Sequence, residues 1–428
     1  MSAKRKAVCA AALIGVAGSA AAVPLDFTGY FRSGGGTSSK GGKEVCFRLP
    51  GAEIGFFRLG NECDTYASLN FGANLGEVDG TGFKAAFTMA YGTQQLANWE
   101  QSAPAWRQAY VEASDIGASL GTPVLKGASL WAGKRFYKNP DIHMLDYTYW
   151  EPAQGPGGGV DGIDAGFGKF SYAMFRVGDF EGYGAAGGYN PGIVNGGDQT
   201  ATVHDFRISE MPVNPGGALT VGIDLIRKNN HSGAAGRHGY GLTVSHTQSN
   251  LFGLPGSNNA VLQVARNAAA LKGFGFAGST ARRNEWLLFD HWTIDSKDLP
   301  VSAALVAGIH HKEVEGVTTK SFFAGARPQY HFNNVLSIAG ELGYQQLKEE
   351  GEPALRLTKF TIAPQFSMGR SLWARPALRL YYTYAKWNDA ARDAGSVVCT
   401  GRDCGTPVDA FSQSTSGGSY GVQVEAWF

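Results

Sequence analysis

From residue 23 onward the hydrophobic residues recur with a period of two rather than 3.6, and that pattern restricts the chain to β structure. Leu219, Val221, Ile223 and Leu225 alternate with Thr220, Gly222 and Asp224. Leu336, Ile338, Leu342 and Tyr344 alternate with Ser337, Glu341 and Gln345, and Leu378, Leu380, Tyr382 and Tyr384 with Arg379, Tyr381 and Thr383. Each segment therefore has one apolar and one polar face, as a strand requires when lipid or core lies on one side and water on the other. Turn chemistry separates the segments, as at Asp79-Gly80, Asn195-Gly196-Gly197 and Asn214-Pro215-Gly216-Gly217. No helical pattern is comparably clear. The longest candidate, Leu262 to Lys272, is alanine-rich and reads equally as a strand followed by a loop. Two stretches read as long loops, Pro152 to Gly162 and Asp389 to Gly418.

The start of the chain sets the compartment. Lys4, Arg5 and Lys6 precede an apolar run from Ala7 to Ala17 and the small residues Ala20, Ala21 and Ala22. This is the layout of a secretory signal peptide, with cleavage expected after Ala22. The apolar run falls short of the roughly 20 residues that span a bilayer as a helix. Removing residues 1–22 leaves one domain of 428 − 22 = 406 residues. No later stretch supplies a transmembrane helix, a property shared by secreted soluble proteins and by barrels, whose alternating strands leave little hydropathy signal. Composition favours the barrel: 60 glycines, 12% aromatic and only 17% charged residues depart from average usage of about 7% Gly and 25% charged. A chain of this length accommodates a membrane barrel in the high teens of strands, the size class with aqueous channels. The net charge of +1 argues against a nucleic-acid partner, which calls for a clustered basic excess.

The last residues support closure. Tyr420, Val422, Val424, Ala426 and Phe428 alternate with Ser419, Gln423, Glu425 and Trp427, which resembles the closing strand of outer-membrane barrels. It also turns Trp427 inward beside Glu425 and Gln423. The same anomaly recurs: Tyr30 shares a face with Asp26, Thr28 and Arg32, Tyr66 with Ser68, Asn70 and Asn74, and Trp373 with Ser371 and Arg375. Four aromatic rings thus fall on polar faces, whereas Trp and Tyr of a membrane barrel ordinarily form girdles on the lipid side. Either large residues fill the lumen locally, or the rings stack on the apolar C–H faces of sugars while neighbouring charges bond the hydroxyls. Of five cysteines, Cys9 leaves with the signal, and spacing pairs Cys46 with Cys63 and Cys399 with Cys404 as disulfides of an exported chain. Neither pair has metal-knuckle spacing, so no metal or cofactor is expected.

Six segments in order resemble the maltoporin family of sugar-specific outer-membrane porins, which includes the sucrose porins. They are Leu25 to Tyr30, Arg58 to Cys63, Trp131 to Tyr137, Asp141 to Asp146, Trp373 to Ala377 and Tyr384 to Trp387. The resemblance implies an all-β, transmembrane antiparallel barrel of 18 strands in the Gram-negative outer membrane, assembled as a homotrimer, with an inward-folded constriction loop. It implies facilitated diffusion of maltose, maltodextrins or other oligosaccharides. The implied aromatic slide comprises Tyr30, Tyr66, Trp99, Trp373 and Trp427, with Trp99 reaching a neighbouring subunit's channel. The sixth slide position falls near Leu254, with Phe252 close by. The implied polar track and constriction comprise Arg32, Arg58, Arg107, Asn139, Asp141, His143, Asp146 and Thr148. Cys46 and Cys63 match the family's disulfide. Ser68 replaces a track Glu, and Asn139 and Thr148 stand where an Arg and a Tyr are implied. Sucrose porins likewise lack that Arg and Tyr.

Three other readings compete. A general diffusion porin would use its aromatics structurally, and a secreted β-rich carbohydrate-binding protein would never enter a membrane. An enzyme is suggested only by Gly117-Ala118-Ser119-Leu120-Gly121, a G-x-S-x-G match without strand-turn-helix context. Asp141, His143 and Asp146 read as a polar loop network in the pore or, less well, as a metal or acid/base cluster, and Gly155 to Gly159 as loop flexibility.

Overall fold

The computed structural model describes residues 24–95, 98–152, 155–178, 200–228, 237–271, 281–296, 298–400 and 406–428. The expected signal segment, residues 1–22, lies outside them, as does Cys404. Eighteen antiparallel strands form one closed sheet. The first, Leu25–Ser38, pairs on one side with Thr65–Val78 and on the other with the last, Ser416–Trp427. Closure removes both sheet edges. Connections at one end are mostly short turns, such as 79–80 and 215–216, and the longest, such as 39–64, lie at the other end, which also holds the two-residue turn 315–316. Helices are confined to connections, and the two α-helices among the described residues have five residues each.

Alternation does what the pattern requires. Along Leu355–Ser367 and Ala377–Trp387 buried and exposed residues alternate without a break. The exposed set, including Phe360, Leu378, Leu380, Tyr382 and Tyr384, is mainly apolar. The buried set carries the polar residues Lys359, Thr361, Gln365, Arg379 and Thr383 among small and aromatic ones. This polarity is the reverse of a soluble barrel. The alanine-rich candidate resolves as the strand Gly256–Asn267.

One loop expectation is corrected. The glycine-rich stretch contains the barrel strand Pro156–Asp164. A Cβ on Gly157 would lie 2.1 Å from the Met174 carbonyl oxygen, and one on Gly159 would lie 2.5 Å from that of Tyr172. Glycine serves close backbone approach here, not flexibility.

Two loops fold into the barrel. Residues 39–64 dock on the inner wall: Lys359 Nζ and Thr361 Oγ1 donate to the Leu59 carbonyl at 3.3 and 3.0 Å, and Thr383 Oγ1 to that of Gly60 at 3.0 Å. The Phe57 ring packs where wall residues 325 and 343 are glycine. The Cys46–Cys63 disulfide and the fully buried Asn61, which bonds Phe47 through both backbone groups, shape the loop internally. Cys399 packs beside this disulfide. Residues 135–152 form the second inward loop. It carries a short ribbon, Asp141–Ile142 paired with Tyr147–Thr148, and its buried side chains Tyr137, Tyr147, Tyr149 and Trp150 pack on the wall in the largest apolar cluster. The backbone N–H of Arg58 donates to the Met144 carbonyl at 3.1 Å, joining the two loops.

Candidate functional site

Between the second loop and the opposite wall lies a strip of inward-facing rings. Tyr30 is the register partner of Trp427 across the closing seam and of Ser68 on its other side, and Arg32 is the partner of Tyr66. The Tyr30 and Tyr66 rings are 6.1 Å apart, and those of Trp373 and Trp427 are 6.4 Å apart. Trp373 reaches the strip from the turn between Leu355–Ser367 and Ala377–Trp387. His143 of the second loop lies 5.4 Å from Trp373 and 5.9 Å from Trp427.

Charges interleave with these rings. Arg32 forks onto Asp64 at 2.8 and 2.7 Å and lies 3.3 Å from Glu62 and 3.4 Å from Asp146. Arg58 donates to Glu62 at 2.9 Å and to the Tyr30 hydroxyl at 2.7 Å, and stands 3.2 Å from Glu425. Glu425 receives Arg375 at 2.6 Å, Arg379 at 3.1 Å and the Tyr30 hydroxyl at 3.2 Å. Four guanidiniums thus meet four carboxylates. Two guanidiniums also lie on ring faces, Arg32 5.3 Å from the Tyr66 centroid and Arg375 4.2 Å from that of Trp427, within cation–π range. Enclosure, then the Arg58 guanidinium, hold His143 well below the ordinary imidazole range. His143 is therefore neutral at pH 7, and its Nδ1 accepts from Arg58 Nη1 at 3.1 Å.

The structure thus brings together Tyr30, Tyr66, Trp373, Trp427, Arg32, Arg58, His143 and Asp146. Asp141 shares the short ribbon with Thr148. Asn139 is turned away from the strip, its amide donating to Glu151 at 2.8 Å. Tyr147 and Tyr149 are committed to the wall, where Tyr147 donates to the Leu271 carbonyl and Tyr149 packs edge-on against Phe289 at 5.0 Å.

Three expected positions stand apart. Arg107 lies over Phe136, 4.9 Å from its centroid, at a bulge where Gln108 pairs with Thr88 and Trp106 with Met89. Trp99 is 85% exposed in the loop after Thr81–Thr93. Leu254 lies in the turn between Gly239–Ser249 and Gly256–Asn267, half the ring of strands from the seam. Its neighbour Phe252 contacts Trp292 at 6.1 Å, on the outward side of its strand. Ser119, of the G-x-S-x-G match, sits in the connection 115–128, on the helix Ile116–Leu120, and hydrogen-bonds Thr81 at 2.8 Å.

Six partners of the strip escaped the sequence reading as site residues: Glu62, Asp64, Arg375, Arg379, Gln423 and Glu425. Arg375, Gln423 and Glu425 carried a signal, since alternation put them on the inner face with Trp373 and Trp427. Glu62 and Asp64 carried none, because they flank Cys63 in a loop placed by docking.

The family model described as LamB porin matches residues 25–428. Among solved structures, the chain is similar to OpdK of Pseudomonas aeruginosa, with 11% identity and a TM-score of 0.48 over 95% of this chain and 99% of that one. It is similar to OccAB1 of Acinetobacter baumannii, with 10% identity and 0.49 over 94% and 96%. It is also similar to the trimer form of OmpT of Vibrio cholerae, with 10% identity and 0.40 over 95% and 100%. The narrower label drawn from short segments, a maltoporin among sugar-specific porins, is corrected: the match is to LamB porin as a family. The closed barrel with its apolar exterior is a multi-pass protein of the outer membrane, and as a porin it is a diffusion channel. The short turns then face the periplasm and the long loops the exterior. By the match across residues 25–428, the chain belongs to the LamB porin family.

Proposed function

We propose that this porin is a guided channel for oligosaccharides, maltodextrins among them, and not an enzyme. The observation that carries the reading is the strip of four inward rings set in a ladder of paired guanidiniums and carboxylates. The rings offer faces for the apolar side of a pyranose. The ladder offers donors and acceptors at its edges, and four positive groups opposite four negative ones suit a neutral polyhydroxyl solute better than an ion. Single-channel current in planar bilayers tests this. Added maltotriose interrupts the current in a guided channel, whereas a general diffusion porin conducts without interruption.

The constriction is proposed to be broad. Asn139 and Thr148 supply neither a guanidinium nor a ring, and Tyr147 and Tyr149, the residues best placed to restore a narrow slot, are packed on the wall. Selectivity for linear α-glucans is then incomplete. Installing Asn139→Arg with Thr148→Tyr should lower conductance and strengthen maltodextrin block about tenfold, each added hydrogen bond contributing roughly 0.5–1.5 kcal/mol. Unchanged conductance and block would refute the broad slot.

The assembly is proposed to be a homotrimer in which Trp99 covers the mouth of an adjacent pore. Its exposure on an external loop, away from the wall of its own barrel, supports this. Trp99→Ala should weaken sugar block with open-channel conductance nearly unchanged.

A further inference from the structure

Away from the strip, the first inward loop meets the opposite wall at a second polar cluster. Glu53 comes from the loop, Glu285 from Arg283–Ile294 and His310 from Val301–Val314. One carboxylate oxygen from each Glu and one ring nitrogen of His310 lie within 4.8 Å of one another. Glu285 and His310 are 1% and 4% exposed. The cluster's independent mark is the histidine: its buried Nε2 has no hydrogen-bond partner among the described residues. A buried imidazole nitrogen left unpaired calls for an explanation, and two carboxylates at the same spot point to a cation.

We infer that Glu53, Glu285 and His310 bind a borderline divalent cation of the zinc class, which clamps the first loop to the wall. Zinc takes nitrogen and carboxylate ligands at about 2.0–2.2 Å in tetrahedral geometry, which sets ligand atoms about 3.3–3.6 Å apart. The three donors, within 4.8 Å of one another, draw together by up to about 1.5 Å per pair to hold it. Hard cations such as Ca²⁺ want six to eight oxygens, which a set with one nitrogen and two carboxylates does not supply. The surroundings hold the donors in place. The Leu271 N–H donates to Glu285 Oε2 at 2.8 Å, Arg283 to Oε1 at 2.5 Å, and Lys312 to Glu53 Oε1 at 2.9 Å. Such outer contacts orient ligands and tune affinity. Lys312 is also the competitor: its ammonium occupies a carboxylate oxygen that the ion would claim.

The test is titration calorimetry of Zn²⁺ into the full-length barrel folded in detergent, with Ca²⁺ and Mg²⁺ in parallel. One Zn²⁺ per chain should bind, with far weaker uptake of the hard ions. His310→Gln and Glu53→Gln should each lower zinc affinity at least about tenfold, and Lys312→Met should raise it. Glu53 lies on a loop, so Glu53→Gln keeps the test available if a wall variant fails to fold. Cobalt substituted for zinc should give a visible spectrum that His310→Gln changes. Absence of stoichiometric zinc binding, equal affinity for Ca²⁺, or affinity unchanged in Glu53→Gln would each overturn the site.

Discussion

Two aromatic rows share the same strands and face opposite ways. On the outside, Phe428, Phe27, Phe71, Phe87 and Trp106 follow one another with centroid spacings of 5.5, 5.2, 4.6 and 5.8 Å. On the inside, Tyr66, Tyr30, Trp427 and Trp373 form a strip whose rings touch Arg32, Arg58, Arg375 and His143. Phe27 and Tyr30 are three residues apart on Leu25–Ser38, and Phe428 directly follows Trp427. What separates the rows is their company. The outer rings stack mainly on one another, as hydrocarbon in an apolar surround should. The inner rings carry hydroxyl or indole N–H groups, and their faces and edges are held by charge. Aromatic content therefore says little about a barrel's function until each ring is assigned to a face and given neighbours.

The largest effect is expected where the inner row's charge is removed. Glu425 is 2% exposed and pairs with Arg375 and Arg379. Glu425→Gln leaves those guanidiniums facing each other and should cost about 3–5 kcal/mol, the range for breaking a buried pair. A lower urea midpoint for the folded barrel would show it. If stability is unaffected, the ladder does not support the rings and the contrast between the rows weakens.

Next comes the loop that delivers Arg58 to the inner row. The Cys46–Cys63 bond encloses 16 residues, from a sequence separation of 17, and should contribute about 3 kcal/mol by the chain-entropy estimate. In unreduced protein neither thiol should react with a label. Reduction should lower stability and disturb sugar block while leaving the outer row intact.

A smaller effect sharpens the contrast from the other side. Phe71 sits between Phe27 and Phe87, so Phe71→Ala removes two ring contacts, each about 0.5–1.5 kcal/mol beyond area burial. Thermal resistance of the folded barrel should fall modestly, and sugar block should not change. Altered block would mean that the two rows are coupled through the wall.

How far these rows could be read from sequence depends on the residues. Period-two alternation was sufficient to place Phe27 outward and Tyr30 inward, and to put Trp427 beside Glu425, because a strand in a closed sheet leaves a side chain only two directions. It does not carry through Arg107, which only the family resemblance nominated, because a bulge shifts the register there. It failed at Pro156–Asp164, where glycines that look like loop are demanded by backbone contact. Glu62 and Asp64 were illegible for a different reason. Their positions come from contacts made far along the chain, Leu59 and Gly60 with Lys359, Thr361 and Thr383, and no local pattern encodes those. His310 was likewise silent, since its partners lie on a loop and a strand distant in sequence.

The central claim is that the inner row, and not the outer, guides sugar. Maltotriose block of single-channel current, compared among the wild type, the Trp373→Ala/Trp427→Ala double variant and Phe71→Ala, tests it most directly. Two ring contacts at about 0.5–1.5 kcal/mol each predict block weakened on the order of tenfold or more in the double variant. Phe71→Ala should match the wild type. Equal block in all three channels would contradict the account.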